Sequence, residues 1–164
     1  GRLGTLGSLD DITVDDWDKT LRANLTSAMF GAKYQLPEIA KRGGGSVIFT
    51  STFVGHTIGM PGMTAYAASK MGLLGMAQCL AVEHGAANIR VNALVPGGTD
   101  TPMAASFTSD PETRAMVEKF HALGRIADPS EIAKAALFLA SDASSFVTGS
   151  AMLVDGGTSI CKAA

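Results

Sequence analysis

The 164 residues are enough for one domain, and 46% hydrophobic against 17% charged residues argues for a packed core and against disorder. A formal charge of −2 offers no electrostatic case for binding nucleic acid or an anionic membrane surface. No apolar run nears the roughly 18 to 20 residues that span a bilayer, and the opening GRLGTLGSLDD has neither the basic nor the apolar stretch of a secretory signal. The chain has no initiator Met, so residue 1 reads as a truncation point. Cys79 and Cys161 have no metal-ligand spacing; they read as reduced thiols of a cytoplasmic protein, and no metal site is expected.

Thr13-Val14-Asp15-Asp16 has the form of a helix N-cap with an acidic residue three positions on. An amphipathic helix follows, with Trp17, Leu21, Leu25, Ala28 and Met29 on one face. Pro37 is expected to kink or break it, and Gly43-Gly44-Gly45 to end it. Ser46 to Ser51 is a short β-branched run, as for a strand buried on both faces of a parallel sheet. A loop covers roughly 52 to 62, and a helix from about Thr64 to His84 ends at Gly85. The small residues of that helix suit either core packing or a subunit interface. Ile89 to Val95 is a second strand, closed by Pro96-Gly97-Gly98. The stretch from about 103 to 127 reads as a mobile loop with a short helix around Glu112 to His121. Asp128-Pro129-Ser130-Glu131 opens a helix to about Ala140, and Ala151 to Asp155 is a third strand. Strands alternating with helices specify a parallel α/β sheet with right-handed crossovers and no second domain. Three strands make a small sheet, so the pattern reads as the C-terminal half of a larger doubly wound one.

Tyr66 and Lys70 stand one helical turn apart. A free phenol ionises near pH 10, too high for efficient proton exchange at neutrality. An ammonium about 4 Å away favours the phenolate by about 4 kcal/mol at an effective dielectric near 20. Ser51 ends the preceding strand, on the side where open α/β sheets bind ligands. Asn24 lies within the apolar stripe of the first helix, where a buried amide must be satisfied. Taken singly, each of these is an ordinary structural residue.

Together, Asn24-Leu25, Thr50-Ser51-Thr52, Tyr66-Ala67-Ala68-Ser69-Lys70, Val91-Asn92-Ala93, Pro96 to Thr101 and Val154 to Gly157 resemble the short-chain dehydrogenase/reductase family in order and spacing. Leu139 to Gly149 is similar to that family's C-terminal segment. The resemblance implies a Rossmann-like doubly wound fold. It also implies an oxidoreductase that interconverts a carbonyl and a secondary alcohol with NAD or NADP, on a small-molecule substrate, as a homodimer or homotetramer. Tyr66 would be the acid/base. Lys70 would lower its pKa and bind the nicotinamide ribose. Ser51 would hold the substrate oxygen, and Asn24 would anchor a water relaying protons from Lys70. Pro96, Gly97, Thr99 and Thr101 would lie against the cofactor, with the glycines admitting its close approach. The segment after Met103 would cover the substrate.

Two departures qualify the match. The family's catalytic Ser lies thirteen positions before the Tyr, where this chain has Phe53, which leaves Ser51 as the first choice and Thr52 as the alternative. The family's glycine-rich nucleotide turn is absent from these residues, as is the residue that selects between the two dinucleotides. If Gly1 ends the family's Asn-Asn-Ala-Gly turn, about 80 to 90 residues precede it, roughly three βα units. The competing readings are a non-catalytic fragment serving as an oligomerisation or binding module, and a serine hydrolase built on Ser51. The second fails on Ser51's flanks, which lack Gly-x-Ser-x-Gly, and on the contexts of His56, His84 and His121.

Overall fold

The computed structural model describes residues 1–161. Thr13 caps α1 (Val14–Leu21) by accepting the Asp16 N–H at 3.1 Å. The chain then passes through one π turn, Arg22–Thr26, and continues as α2 (Ser27–Lys41). Pro37 does not break α2, which runs one further turn and stops where Gly43 and Gly44 adopt positive φ. Strand β1 (Gly45–Thr50), helix α3 (Thr64–His84) and strand β2 (Ile89–Pro96) follow. After β2 the expected mobile loop holds a helix, α4 (Pro102–Thr108), and the short helix expected around Glu112 to His121 is present as α5 (Pro111–Lys119). Each opens on an N-cap followed by Pro, Thr101-Pro102 and Asp110-Pro111, a start signal easily lost among short polar residues. The Asp128/Glu131 capping box starts α6 (Pro129–Ala140), and β3 (Ala151–Val154) completes the sheet.

The sheet order is β1-β2-β3, all parallel. Central β2 is buried almost throughout, with Val91 and Val95 fully so. β1 departs from the expected two-sided burial: only Phe49 is buried, because β1 pairs on one side alone among the described residues. Phe49, Val91 and Val95 pack against Leu73, Ala77 and Ala81 of α3 and Leu36 of α2. Small residues on α3 let it approach closely; a methyl on Gly72 would stand 2.6 Å from Leu25 Cδ2.

Side chains alternate across a strand, so Ser46 and Arg90, which are register partners, face away from that core. Both bond the Leu139 carbonyl of α6, at 2.8 Å each. Helices α3 and α6 therefore cover opposite faces, which makes the sheet doubly wound. Strand order advances in one direction while the two crossovers use opposite faces, so they have opposite hands. This corrects the expectation of uniformly right-handed connections. The long passage through α4 and α5 carries the chain around the sheet's end before α6 begins.

Candidate active site

The carboxyl ends of β1 and β2 open onto a cleft of about 240 Å³. Its floor includes Thr52, Tyr66, Gly97 and Thr99, and Met103 and Phe107 of α4 cover it. Tyr66 reaches it from the first turn of α3. Among the predicted residues, Tyr66, Gly97, Thr99 and Thr101 line this one space. Pro96 stays behind it at the end of β2, where its carbonyl accepts the Phe53 N–H at 3.3 Å.

Ser51 does not line the cleft. Its buried hydroxyl donates to the Lys70 carbonyl at 2.8 Å, turned toward the α3 backbone and away from the cleft. Thr52 lines the cleft instead, together with Tyr66, and its side chain favours the Tyr66 phenolate. Thr52 Oγ1 already accepts the Val54 N–H at 3.3 Å, which leaves its own proton for an oxygen in the cleft. Consecutive strand residues point to opposite sides, so the choice between two adjacent hydroxyls turned on register, which spacing to Tyr66 could not supply.

Burial pushes the Tyr66 phenol above its ordinary value, while the Thr52 side chain acts in the opposite direction. Burial also lowers the Lys70 ammonium. Lys70 Nζ donates to the Thr50 carbonyl at 2.8 Å, and the net direction for the Tyr66 phenol is upward, set by burial, opposite to the depression expected of a neighbouring ammonium. Of the three ammonium protons, one is committed and two remain for a ligand.

Asn24 sits in the π turn, buried, with its side-chain groups engaged. Its Oδ1 accepts the Arg2 N–H and its Nδ2 donates to the Arg2 carbonyl, both at 2.8 Å. Nδ2 also donates to Ser69 Oγ at 2.9 Å, and Ser69 in turn donates to the Tyr66 carbonyl at 2.8 Å. Asn24 thereby clasps the N-terminal segment to the catalytic helix, with one lone pair of Oδ1 left over for a water. A methyl on Gly1 would lie 2.8 Å from Asn24 Oδ1 and 3.5 Å from Lys70 Nζ, so residue 1 passes directly over both groups.

The glycines of the Pro96–Thr101 loop serve a different neighbour from the one expected. A methyl on Gly97 would stand 2.6 Å from Asp155 Cα, and one on Gly98 would stand 2.7 Å from the His121 ring. Their lack of side chains admits the protein's own atoms. His121, buried, accepts the Gly98 N–H through Nε2 at 3.1 Å, and its Nδ1 lies 2.9 Å from the Val117 carbonyl. Those partners call for the neutral tautomer protonated on Nδ1. The loop is further tied by Gly97 N–H to Val154 O and Ala127 N–H to Gly98 O, at 2.9 and 2.8 Å. This role of His121 rests on a contact 23 residues away in sequence, which no local pattern carries. His56 is exposed on the loop after β1. Among the described residues no three His, Cys, Asp or Glu side chains gather as a metal site, and no helix is long and apolar enough to cross a membrane.

A doubly wound sheet, a Tyr-x-x-x-Lys turn on the helix after a hydroxyl-ended strand, and a Pro-Gly-Gly-Thr loop beyond the next strand define a member of the short-chain dehydrogenase/reductase family, to which this chain belongs. The family described as enoyl-(acyl carrier protein) reductase matches residues 2–159. The chain is 36% identical over 156 residues to cyclohexanol dehydrogenase of Acinetobacter sp. (strain SE19), covering 95% of this chain and 60% of that protein. It is 39% identical over 161 residues to oxidoreductase UcpA of Escherichia coli (strain K12), covering 94% and 61%. Its fold superposes with a TM-score of 0.92 on gluconate 5-dehydrogenase from Burkholderia cenocepacia J2315 in complex with NADP and tartrate, at 27% identity, covering 99% and 63%. The chain thus spans about three fifths of these relatives.

Proposed function

We propose that this chain is the catalytic part of a nicotinamide-dependent oxidoreductase that interconverts a small-molecule secondary alcohol and its carbonyl. The observation that carries the reading is that Tyr66 and Thr52 line one cleft at the carboxyl end of the sheet, with Lys70 one helical turn after Tyr66 on α3. Relatives named as dehydrogenases, and a structural neighbour holding NADP, support it.

The residues fit such a cofactor. Lys70 has two free N–H groups for a sugar diol, the backbone of residue 1 passes beside it without a side chain, and Thr99 and Thr101 stand across the cleft. A bound nicotinamide would supply or accept the hydride. Thr52 donates its proton to the reacting oxygen, and Tyr66 gives that oxygen a proton in reduction or takes one in oxidation. The raised Tyr66 pKa keeps the phenol protonated and ready to donate. In the oxidation direction the neighbouring Lys70 ammonium offsets the cost of the phenolate. Asn24 and Ser69 fix the helix turn that aims Tyr66. A cytoplasmic homodimer or homotetramer is the assembly proposed with it.

The test follows NADH and NADPH absorbance in the protein carrying this chain, with a panel of ketones. Turnover that Tyr66→Phe abolishes supports the reading. No oxidation of either cofactor, with no cofactor binding by calorimetry, sinks it in favour of a binding module.

A further inference from the structure

We propose that the cleft selects a compact, uncharged, largely hydrocarbon ketone or secondary alcohol, and turns away carbonyl compounds bearing a carboxylate, a phosphate or several hydroxyls. The proposal rests on the oxidoreductase reading of Tyr66 and adds the substrate class.

Aliphatic, thioether and aromatic groups form most of the wall: Phe53 and Val54 after β1, Met60 and Met63 before α3, and Met103 and Phe107 on α4. Among the described residues, no Lys, Arg, Asp, Glu or His lines the space. The charges nearest in the fold are engaged elsewhere. Arg114 of α5 pairs with Asp100 and Glu118 at 3.0 Å each, and Lys70, which does not line the space, bonds the Thr50 carbonyl and keeps its two other N–H groups for the cofactor's sugar. A ligand carboxylate would lose its water here and find no cation, a cost of several kcal/mol in such surroundings.

The threonine hydroxyls sharpen the selection. Thr99 donates to the Gly97 carbonyl at 3.1 Å, Thr101 to the Thr99 carbonyl at 3.4 Å, and Thr108 to the Ala104 carbonyl at 3.0 Å. Their protons point into the backbone, so a polyol would meet few donors. Thr52 and Tyr66 are left to receive a ligand oxygen, both at one end of the space. One polar anchor beside an apolar wall matches a molecule with one oxygen and a hydrocarbon body. The volume of about 240 Å³ is small for a drug-sized ligand and is shared with whatever lies against Gly97 and Thr99, which keeps that body compact.

A size-matched pair tests this directly: 4-methylcyclohexanone against 4-oxocyclohexanecarboxylate, with NADH and NADPH, on the protein carrying this chain. The expected result is a kcat/KM for the neutral ketone about 100-fold or more above that for the anion. Met103→Arg, at a position 41% exposed and so tolerant of charge, should shrink that ratio at least tenfold while leaving the melting temperature near the parent's. Calorimetric titration with the corresponding alcohols, with NADP present, reads selectivity without turnover. Equal or tighter binding of the anion, or binding of neither, overturns the proposal. Preferred binding of the neutral alcohol without any oxidation or reduction upholds the selectivity and instead refutes the oxidoreductase reading.

Discussion

The two walls of the cleft are held by different kinds of contact. On the β1–α3 wall several side chains are pinned by partners distant in sequence: Ser51 to Lys70, Lys70 to Thr50, Asn24 to both Arg2 and Ser69. On the α4–α5 wall the side-chain bonds are mostly local caps, Thr101 to Ala104 and Asp110 to Thr113, plus the Arg114 pairs. The first arrangement ties α3, which carries Tyr66 and Lys70, to β1 and to the N-terminal segment. The second holds an apolar cover whose side chains change without disturbing those ties. The proposed chemistry thus falls on the wall with long-range ties, and the proposed selectivity on the wall with local ones.

The comparison breaks most sharply at Tyr66. Tyr66→Phe removes the acid/base while keeping the ring's packing, and turnover is expected to fall about 10²- to 10⁴-fold with little change in melting temperature. The next largest effect separates the adjacent hydroxyls. Thr52→Ala is expected to lower kcat/KM about 100-fold, as for loss of one donor to a reacting oxygen, and Thr52→Ser to restore most of it. Ser51→Ala leaves turnover within about threefold and costs about 1 kcal/mol of stability, through its lost bond to Lys70 O. Steady-state kinetics on the three variants decide the matter. An inactive Ser51→Ala beside an active Thr52→Ala would return the role to Ser51.

Those two residues also mark where the sequence was legible and where it was not. Helix α3 and the Tyr66/Lys70 turn were readable because a helix presents i and i+4 on one face whatever surrounds it. The strands were readable from short β-branched runs bounded by glycine. The Ser51/Thr52 order depended on how β1 is rotated in the sheet, set by pairing with β2 some 44 residues on. The hand of the second crossover depended on which face α6 covers, which no local pattern carries. His121 was visible, but its bond to Gly98 N–H arises only once α5 has folded against the loop. Pro37 misled because tertiary packing of Leu36 and Ala32 sustains α2 through it.

Smaller effects test the long-range clasp against the local caps. Asn24→Ala strands the Arg2 backbone groups and loosens Ser69, for an expected loss of about 1 to 3 kcal/mol in denaturant unfolding. Thr101→Ala removes the α4 N-cap and is expected to cost about 1 kcal/mol, with hydrogen exchange rising in α4 alone. An Asn24→Ala protein as stable as the parent would show that the clasp is dispensable to the fold.

The pH dependence of stability is the finest probe, because Tyr66 and Lys70 pull in opposite directions. Tyr66 is raised above its ordinary value near 10, so its contribution is fully present below that value and is lost as pH climbs through the raised one. Lys70 is lowered below its ordinary 10.5, so its contribution is complete above that value and is lost as pH falls through the lowered one. In the parent protein the two partly cancel near pH 10 to 11. Tyr66→Phe removes the alkaline loss, so its urea midpoint should gain on the parent's as pH rises above about 10. Every other titrating group is common to both proteins and drops out of the difference. Parallel midpoints from pH 9 to 11.5 would mean that Tyr66 ionises as freely in the fold as in water, and that the cleft does not desolvate it.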